Sequence, residues 1–580
     1  MIKTILSNVK QYTFPSLITP VFMIGEVIME MLIPIMMANI IDKGISAGSI
    51  SSVVSYGLGM IAMGALGLFF GVMGAVCGAR ASTGLACNLR DAMYLNIQKF
   101  SFSNIDKFST AGLVTRMTTD VTNVQVAYQM ILRISFRAPV TLITALFMSF
   151  SISSRLASIF LVAVLVLAVV LVIIMSTTMG LFQKGMRMYD DLNEEVEEDV
   201  TAIRTVKAFV RENYVIEAFR NAADNIRDVF VKAEIRMAFN GPVMMICVYG
   251  SMLTLSWMGA NMIISDELTT GQLTSLFSYV MSILMSLMML SMIFVMLTMS
   301  MASGRRIAEV INEKPSMKDP ETPVTEVKDG SVDFCDVSFS YRKGSGNNVL
   351  SDVNFHVNSG ETIGIIGPTG SSKSSLVSLI SRLYDVTEGK VMVGGVDVRD
   401  YSMEALRSKV SVVLQNNVLF SGSIYENLRW GNPDATDEEC REACRIACAD
   451  EFVERMPEGY DSIIEQGGTN VSGGQRQRLC IARALVGKPA ILILDDSTSA
   501  VDTATDSRIR KAFKERIPGT TKFIIAQRIT SVMDSDRIIV LDDGRVAEFG
   551  THDELMERSE AYREIYESQT SGSGDFDEFG

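Results

Sequence analysis

The stretch GPTGSSKSS at residues 367–375 decides the fold of the second half of the chain. It follows an apolar run, Thr362–Ile366, that has the length of a buried strand, and it leads into the apolar helical segment Leu376–Leu383. A glycine-rich loop between a strand and a helix is the setting that a phosphate-binding loop requires. The sequence therefore predicts an α/β domain in which backbone N–H groups and a helix N-terminus hold phosphate oxygens.

Two side chains of this loop have predicted roles in binding a nucleotide. Lys373 is expected to reach the β- and γ-phosphates, and Ser374 is expected to ligate Mg²⁺. ATP and Mg²⁺ are therefore the expected ligands. The residues expected to contact the nucleotide from this loop are Gly367, Pro368, Thr369, Gly370, Ser371, Ser372, Lys373, Ser374 and Ser375.

A second apolar run, Ile491–Leu494, ends in Asp495 and Asp496. An aspartate at the end of such a strand, downstream of a phosphate loop, is expected to bind Mg²⁺ through water. Asp495 is therefore the predicted metal partner of Ser374. Between the two runs lies the stretch VSGGQ at residues 471–475, which a basic helical segment follows.

The composition divides the 580 residues into an apolar part and a soluble part. A domain usually takes about 150 residues, so several domains are expected. Mean hydropathy is +0.26. Residues 15–301 are rich in Leu, Met, Val and Ile, whereas residues 320–570 resemble ordinary soluble α/β sequence. The net charge of −14 argues against nucleic acid as a partner, because nucleic acid requires a basic surface.

Six segments are long and apolar enough to cross a membrane, which takes about 20 residues. They are residues 15–41, 56–79, 130–152, 156–181, 237–264 and 273–301. The two long connections, 80–129 and 182–236, carry most of the basic residues, and the short connections carry only Lys43 and Arg155. Basic connections stay in the cytoplasm. We therefore expect a multi-pass protein of the cell membrane with both termini and the ATP-binding domain in the cytoplasm.

Two pairs of charged residues fall inside the predicted spans. Glu26 and Glu30 lie four residues apart in the first span, and Arg133 and Arg137 lie four apart in the third. A charge at the bilayer centre costs about 2.5–3.5 kcal/mol, so each needs a partner or water. Two interpretations stay open: the residues pair with one another or snorkel, or they line a water-filled translocation cavity.

The VSGGQ stretch resembles the signature motif of the ATP-binding-cassette (ABC) proteins. With six preceding spans, the chain resembles an ABC exporter half-transporter over nearly its whole length. The expected fold is an all-α six-helix transmembrane domain followed by an α/β P-loop nucleotide-binding domain. The expected domains are an amphipathic membrane-surface helix (1–14), a transmembrane domain with two long cytoplasmic extensions (15–311), a linker (312–330), an ATP-binding cassette (331–570) and an acidic tail (571–580).

The resemblance implies roles for further residues. Tyr341 matches the aromatic residue that stacks on adenine, and Gln415 matches the residue that links the magnesium site to the membrane domain. Residues 112–122 and 204–212 look like the coupling helices, and 465–467 like the segment that contacts the extensions. In this family each nucleotide lies between one domain's phosphate loop and the other domain's signature motif. The implied nucleotide contacts outside the loop are Tyr341, Ser472, Gly473, Gly474, Gln475 and Asp502.

Three positions depart from the family pattern. Asp496 stands where glutamate ordinarily positions or deprotonates the attacking water, and Gln527 stands where the switch histidine is ordinarily found. Ser372 replaces the glycine that usually precedes the lysine. General-base catalysis is worth about 10²–10⁴-fold and depends on reach, so the shorter arm of Asp496 is expected to depress hydrolysis.

The signature motif, in contrast, is intact. This pattern resembles the degenerate-site subunit of heterodimeric bacterial multidrug-type ABC exporters. We therefore expect a second half-transporter as partner, with membrane lipid around the spans and a small-molecule, lipid or peptide substrate exported by alternating access. Two alternatives stay open: an importer built on the exporter scaffold, and a nucleotide-gated regulatory membrane protein with little turnover.

Overall fold

The computed structural model describes residues 1–341 and 348–570 of the chain, apart from the side chains of Ser291, Met292, Phe294, Val295, Thr298 and Met299. The chain divides into two compact units. The first unit contains Met1–Gln98 and Thr110–Glu313, and the second contains Lys99–Ser109 and Lys314–Gly580. The acidic tail expected at 571–580 lies outside the described residues.

Helices form almost all of the chain up to Glu313. Two π-helical turns interrupt them, at Ile40–Ile45 and at Arg116–Asp120, and a 3₁₀ turn lies at Lys10–Tyr12. The helices are α1 (Ile2–Ser7), α2 (Thr13–Asn39), α3 (Ile50–Ile97), α4 (Phe102–Phe108), α5 (Thr110–Thr115), α6 (Val121–Ile152), α7 (Ser154–Thr201), α8 (Ile203–Ala208), α9 (Glu212–Ala238), α10 (Asn240–Ile264) and α11 (Thr270–Asn312).

Six helical stretches of the described chain are long and apolar enough to span a bilayer, which confirms the number predicted. The most apolar of them is Ser154–Thr201. Beyond the first helical turn, proline occurs inside two of the helices, at Pro20 and Pro34 of α2 and at Pro139 of α6. Membrane helices tolerate proline because neighbouring helices and hydroxyl side chains satisfy the backbone groups that it frees. At Pro34, the Ser275 hydroxyl of α11 donates to Pro34 O at 2.6 Å, so a neighbouring helix contacts α2 next to this proline.

Polar contacts join α2 to α11 inside an otherwise apolar core. Tyr279 is fully buried, and its hydroxyl donates to Met31 O at 2.8 Å. At the start of α11, the carboxylate of Asp42 accepts hydrogen bonds from Gly271 N at 2.9 Å and from the Thr269 hydroxyl at 2.6 Å. A carboxylate at a helix N-terminus satisfies free N–H groups and interacts favourably with the helix dipole. These contacts fix the last span against the first.

Three of the four charged residues singled out in the first and third spans are paired. Arg137 donates to Glu26 Oε1 through Nη1 and to Glu30 Oε2 through Nη2, each at 2.9 Å. The side chain of Glu26 is 20% exposed and that of Glu30 is 48% exposed. One guanidinium therefore joins two carboxylates one turn apart, as the first interpretation of these residues requires. The aliphatic stem of Arg133 lies against Gly78 of α3.

The described residues of the second unit form three sheets. The strands are β1 (Val332–Phe339), β2 (Leu350–Val357), β3 (Thr362–Ile366), β4 (Glu388–Val393), β5 (Val396–Asp397), β6 (Val410–Val413), β7 (Gly422–Ser423), β8 (Ile463–Ile464), β9 (Ile491–Asp495), β10 (Thr521–Ile525), β11 (Arg537–Asp542) and β12 (Arg545–Gly550). The main sheet has the order β12-β11-β3-β10-β9-β6, and the other two have the orders β2-β1-β4-β5 and β7-β8.

The central strands β3, β9 and β10 are parallel and buried along their whole length. Parallel sheets are covered on both faces, which explains why these strands are continuous apolar runs. Their carboxyl ends meet at one edge, where ligands bind in open α/β sheets. The helices of this part are α12 (Lys373–Ile380), α13 (Met403–Lys409), α14 (Ile424–Leu428), α15 (Asp437–Ile446), α16 (Asp450–Val453), α17 (Gly473–Val486), α18 (Thr503–Arg516), α19 (His552–Arg558) and α20 (Glu560–Thr570).

Candidate functional site: a phosphate loop at the edge of the sheet

The phosphate loop connects β3 to α12 at the carboxyl edge of the sheet. Gly367 has no room for a side chain, because a Cβ there would lie 2.0 Å from Leu541 O. Gly370 has a φ of +90°. Ser372, the N-cap of α12, has the left-handed values φ 73° and ψ 26°. A residue with a Cβ pays about 1–2 kcal/mol for this conformation, and glycine does not.

The side chain of Lys373 folds back over the loop that precedes it. Its Nζ donates to Gly367 O and Pro368 O, each at 2.8 Å, and to Ser371 Oγ at 3.2 Å. Burial lowers the pKa of Lys373, and the nearby carboxylates of Asp495 and Asp496 oppose that shift. The ammonium group thus lies at the centre of the loop, where it can meet a bound phosphate.

Ser374 and Asp495 lie together, as predicted for a magnesium site. The Ser374 hydroxyl donates to Asp495 Oδ1 at 2.9 Å. Burial and the charge of Asp496 raise the pKa of Asp495. A hydroxyl and a carboxylate fit Mg²⁺, which takes oxygen ligands and fills the rest of its shell with waters and substrate phosphates. Among the described residues there is no group of three or more His, Cys, Asp or Glu side chains able to hold a metal.

Asp496 and Gln527, the two departures from the catalytic pattern, contact each other. Gln527 Nε2 donates to Asp496 Oδ2 at 2.8 Å. Asp496 has a φ of +47°, and its N–H donates to Ile525 O at 3.1 Å, which joins the ends of β9 and β10. Burial raises the pKa of Asp496, while hydrogen bonds from Gln527 and Gln415 act in the opposite direction. The structure therefore brings two other predicted residues, Gln527 and Gln415, to the Asp496 carboxylate.

Tyr341 belongs to an aromatic cluster next to α12. It is 49% exposed, and a hydrogen bond of 2.8 Å joins its hydroxyl to Ser375 Oγ. Its ring packs edge to face against Phe339 and Tyr384, with centroid distances of 4.8 and 5.1 Å. An exposed ring that its neighbours hold in place is suited to stack on a planar base.

The signature residues form the N-terminus of α17. The Ser472 hydroxyl accepts from Gln475 N at 3.3 Å, and the Gln475 side chain accepts from Ser472 N at 2.9 Å, which is a capping box. A Cβ on Gly474 would lie 2.7 Å from Ala500 O. The glycine is therefore required by the close approach of the segment 499–502. Asp502 ends this segment and caps α18, where its carboxylate accepts from Thr505 N at 2.9 Å.

A buried residue that the sequence did not single out connects the signature helix to Asp496. Gln477 is 6% exposed; its Oε1 accepts from Ala500 N at 3.0 Å, and its Nε2 donates to Ser499 Oγ at 3.3 Å. Ser499 Oγ in turn donates to Asp496 O at 3.0 Å. Position 477 lies just after the signature motif, on the buried face of α17. The amphipathic spacing of that helix was the only sequence signal that could have indicated its burial.

The segment Lys99–Ser109 belongs to the second unit, whereas residues 112–122, where we expected the first coupling helix, belong to the first unit. Asp106 Oδ2 accepts from the Tyr384 hydroxyl at 2.8 Å, and Phe102 packs against the same ring at 6.0 Å. Burial and the Asp106 carboxylate both raise the pKa of Tyr384. Because Tyr384 also packs on Tyr341, α4 is connected to the aromatic cluster through a single side chain.

Replacing Ser372 by Gly is expected to tighten ATP binding and to stabilise the loop by about 1 kcal/mol, because the left-handed conformation costs glycine no Cβ clash. The matched control is Ser372→Ala, which removes the hydroxyl but keeps the Cβ. Titration with a fluorescent ATP analogue and the thermal midpoint of the ATP-bound protein measure both effects. An equal gain in Ser372→Ala would show that the hydroxyl, and not the backbone, limits binding.

Comparisons with known proteins cover both units. Residues 16–302 match the family described as ABC transporter transmembrane region, and residues 350–499 match the family described as ABC transporter. A Bacillus subtilis protein described as the uncharacterized ABC transporter ATP-binding protein YfiB is 34% identical, over 98% of this chain and 99% of its own. The ATP-dependent lipid A-core flippase of Desulfotalea psychrophila is 30% identical over 84% of this chain and 85% of its own.

A solved structure has the same architecture. The ATP-bound structure of a bacterial Atm1-family ABC exporter superimposes with a TM-score of 0.81, covering 97% of this chain and 99% of that chain at 25% sequence identity. The match extends through both the helical part and the α/β part. A transmembrane region with six candidate spans therefore precedes an ATP-binding domain with a phosphate loop and a signature helix, and the chain belongs to the ABC transporters as a half-transporter of the exporter type.

Proposed function

We propose that the chain is one half of a heterodimeric ABC exporter and that its own phosphate loop forms the weaker of two ATP sites. The observation that carries the proposal is the 2.8 Å hydrogen bond from Gln527 Nε2 to Asp496 Oδ2. A carboxylate that accepts this bond has one oxygen occupied, and it is one methylene shorter than glutamate. An amide cannot supply the protonated imidazole of a histidine. The residues at this site therefore hold ATP but hydrolyse it slowly.

The intact signature helix supports the second part of the proposal. The capping box of Ser472 stabilises the N-terminus of α17. The first two residues of the helix, Gly473 and Gly474, have no side chain that would cover their backbone N–H groups. Such a helix N-terminus binds phosphate oxygens of a nucleotide. When the N-terminus of α17 lies against the phosphate loop of the partner subunit, it completes an ATP site that hydrolyses ATP efficiently. The partner then supplies the glutamate and the histidine that this chain lacks.

The connection between α7 and α9, together with the first turn of α9, exposes apolar side chains, as a surface that docks on a partner would. Phe209, Val210 and Tyr214 are 74%, 80% and 68% exposed. Val210 also has a φ of +52°, an unusual conformation for a β-branched residue. Exposed apolar groups of this kind mark interaction sites. This stretch overlaps the second expected coupling helix, so we propose that it docks on the ATP-binding unit of the partner subunit.

Export of a small or lipophilic substrate by alternating access is the proposed outcome, with the ATP-binding unit in the cytoplasm. Closure of the two ATP-binding units on ATP reorients the spans, and hydrolysis at the proficient site resets them. Ser374 and Asp495 would hold Mg²⁺, which neutralises charge on the transferring phosphoryl group. The likeness to a flippase for a lipid supports a lipophilic substrate.

Two measurements on the complex purified from its native membrane through a tag on this chain test the proposal. Intact-mass analysis is expected to find two different half-transporter chains in equal amounts. Single-turnover decay of retained ATP is expected to show a fast phase from the proficient site and a slow phase from this chain's loop. A complex of two identical chains, or brisk phosphate release by this chain alone, contradicts the proposal.

A further inference from the structure

The last helix of the chain, α20, is firmly attached to the second unit. Tyr562 is fully buried, and a hydrogen bond of 2.8 Å joins its hydroxyl to His552 Nδ1 of α19. Arg563 Nη1 donates to Met556 O at 3.1 Å and to Glu557 O at 2.9 Å. Ile565 and Tyr566 pack against the apolar core. The helix is therefore a fixed element, and its final turn can hold other groups in place.

Gln569, in that final turn, binds the backbone of the loop that follows β10. Its Oε1 accepts from Ile529 N at 2.8 Å, and its Nε2 donates to Gln527 O at 2.9 Å. One amide side chain thus satisfies a donor and an acceptor two residues apart in the loop. Buried or loop backbone groups need such partners, so the contact defines where the backbone of Gln527 lies.

The side chain of Gln527 continues the series of hydrogen bonds to the catalytic position. With its backbone held by Gln569, its Nε2 reaches Asp496 Oδ2 at 2.8 Å. Three residues from α20, the loop after β10 and the end of β9 are therefore connected in a line. The Gln527 amide is bonded to one oxygen of the Asp496 carboxylate. A residue that fixes the position of Gln527 therefore also restricts the access of that carboxylate to the attacking water.

We propose that Gln569 is a positioning residue that restrains ATP hydrolysis at this chain's own loop by holding Gln527 on Asp496. The C-terminal helix thereby controls the rate of the weak site. The inference rests on the proposed roles of Asp496 and Gln527, and it adds a helix that is part of neither the phosphate loop nor the signature segment. A displacement of α20 would release Gln527 and, with it, the carboxylate.

The test uses the purified complex and the slow phase of single-turnover ATP decay. Gln569→Ala is expected to speed the slow phase about three- to tenfold, the size typical of contacts coupled through one network, with the ATP concentration for half-saturation unchanged. In the Gln527→Ala background, Gln569→Ala is expected to add nothing further. Additive effects of the two substitutions, or a slow phase that Gln569→Ala leaves unchanged or makes slower, would overturn the inference.

Amide hydrogen exchange on the same variants separates this inference from the proposed heterodimer, because it needs no turnover. Exchange of the Ile529 N–H is expected to speed at least about tenfold in Gln569→Ala and to stay protected in Gln569→Glu, which keeps the acceptor. Glu564→Gln, on the exposed side of α20, is the matched control and is expected to change neither readout. If single-turnover ATP decay shows one phase only, the proposal of a heterodimer is wrong. Hydrogen exchange still measures the coupling between positions 569 and 527 in that case.

Discussion

Replacing Asp496 by Glu and Gln527 by His together is expected to speed the slow phase of ATP decay by about 10²-fold or more, so that it approaches the fast phase. The longer glutamate reaches the attacking water, and histidine contacts the γ-phosphate region without occupying the carboxylate in the way that the Gln527 amide does. The change also removes the hydrogen bond of 2.8 Å that now joins the two side chains. Rapid-quench measurement of retained ATP in the purified complex gives both rates.

The single variants and an isosteric control determine which residue limits the rate. Asp496→Glu alone is expected to give part of the gain. Asp496→Asn, which keeps the length and removes the base, is expected to give none. The fast phase serves as the internal reference, since it belongs to the other site. If the double variant decays no faster than the unmodified chain, these two departures do not explain a weak site.

Ser472→Ala and Lys373→Ala are expected to differ strongly in their effect on steady-state ATPase of the complex. Ser472→Ala is expected to lower turnover by about 10–10²-fold, because a hydrogen bond to a charged phosphate is worth about 1.5–3 kcal/mol. Lys373→Ala removes the ammonium from the weak loop only, and it is expected to change total turnover by less than about twofold if the two sites are independent. The slow phase of retained ATP is expected to disappear in Lys373→Ala.

A second helix cap provides the control for this pair. Thr436 caps α15 with the same reciprocal bonds, to Glu439, that Ser472 makes with Gln475. Thr436→Ala and Ser472→Ala should therefore cost a similar stability of about 1 kcal/mol, while only Ser472→Ala slows hydrolysis. Equal losses of turnover from Ser472→Ala and Lys373→Ala would indicate two equivalent sites and hence a symmetric dimer.

Much of the second unit could be predicted because each element leaves a local signal. The strand expected at Thr362–Ile366 has those bounds, and the run Ile491–Leu494 forms a strand that ends one residue later, at Asp495. A buried parallel strand must be apolar throughout, and a phosphate loop must contain glycines, so both are visible in a short window of sequence. The proximity of Ser374 and Asp495 then follows from the meeting of parallel strand ends.

The remaining features depend on contacts between distant residues. Gln569 bonds to the backbone of Gln527 and Ile529, which lie 42 and 40 positions earlier in the chain. No local sequence pattern around an exposed glutamine predicts such a contact. The attachment of α4 through Asp106 and Tyr384 joins residues 278 positions apart. The left-handed backbone of Ser372 could be anticipated only from the glycine that the family places there, because serine itself does not favour this conformation.

The arrangement of Arg137 between Glu26 and Glu30 has a consequence for energetics across the bilayer. Moving one elementary charge through a potential of 100 mV changes the free energy by about 2.3 kcal/mol. The formal charges of Glu26, Glu30, Arg133 and Arg137 sum to zero, and the 2.9 Å bonds keep Arg137 together with both glutamates. Arg133 lies on the same helix as Arg137, so these four side chains add no net charge of their own when the helices that carry them move together. We therefore expect them to contribute little to any voltage dependence of the reorientation step.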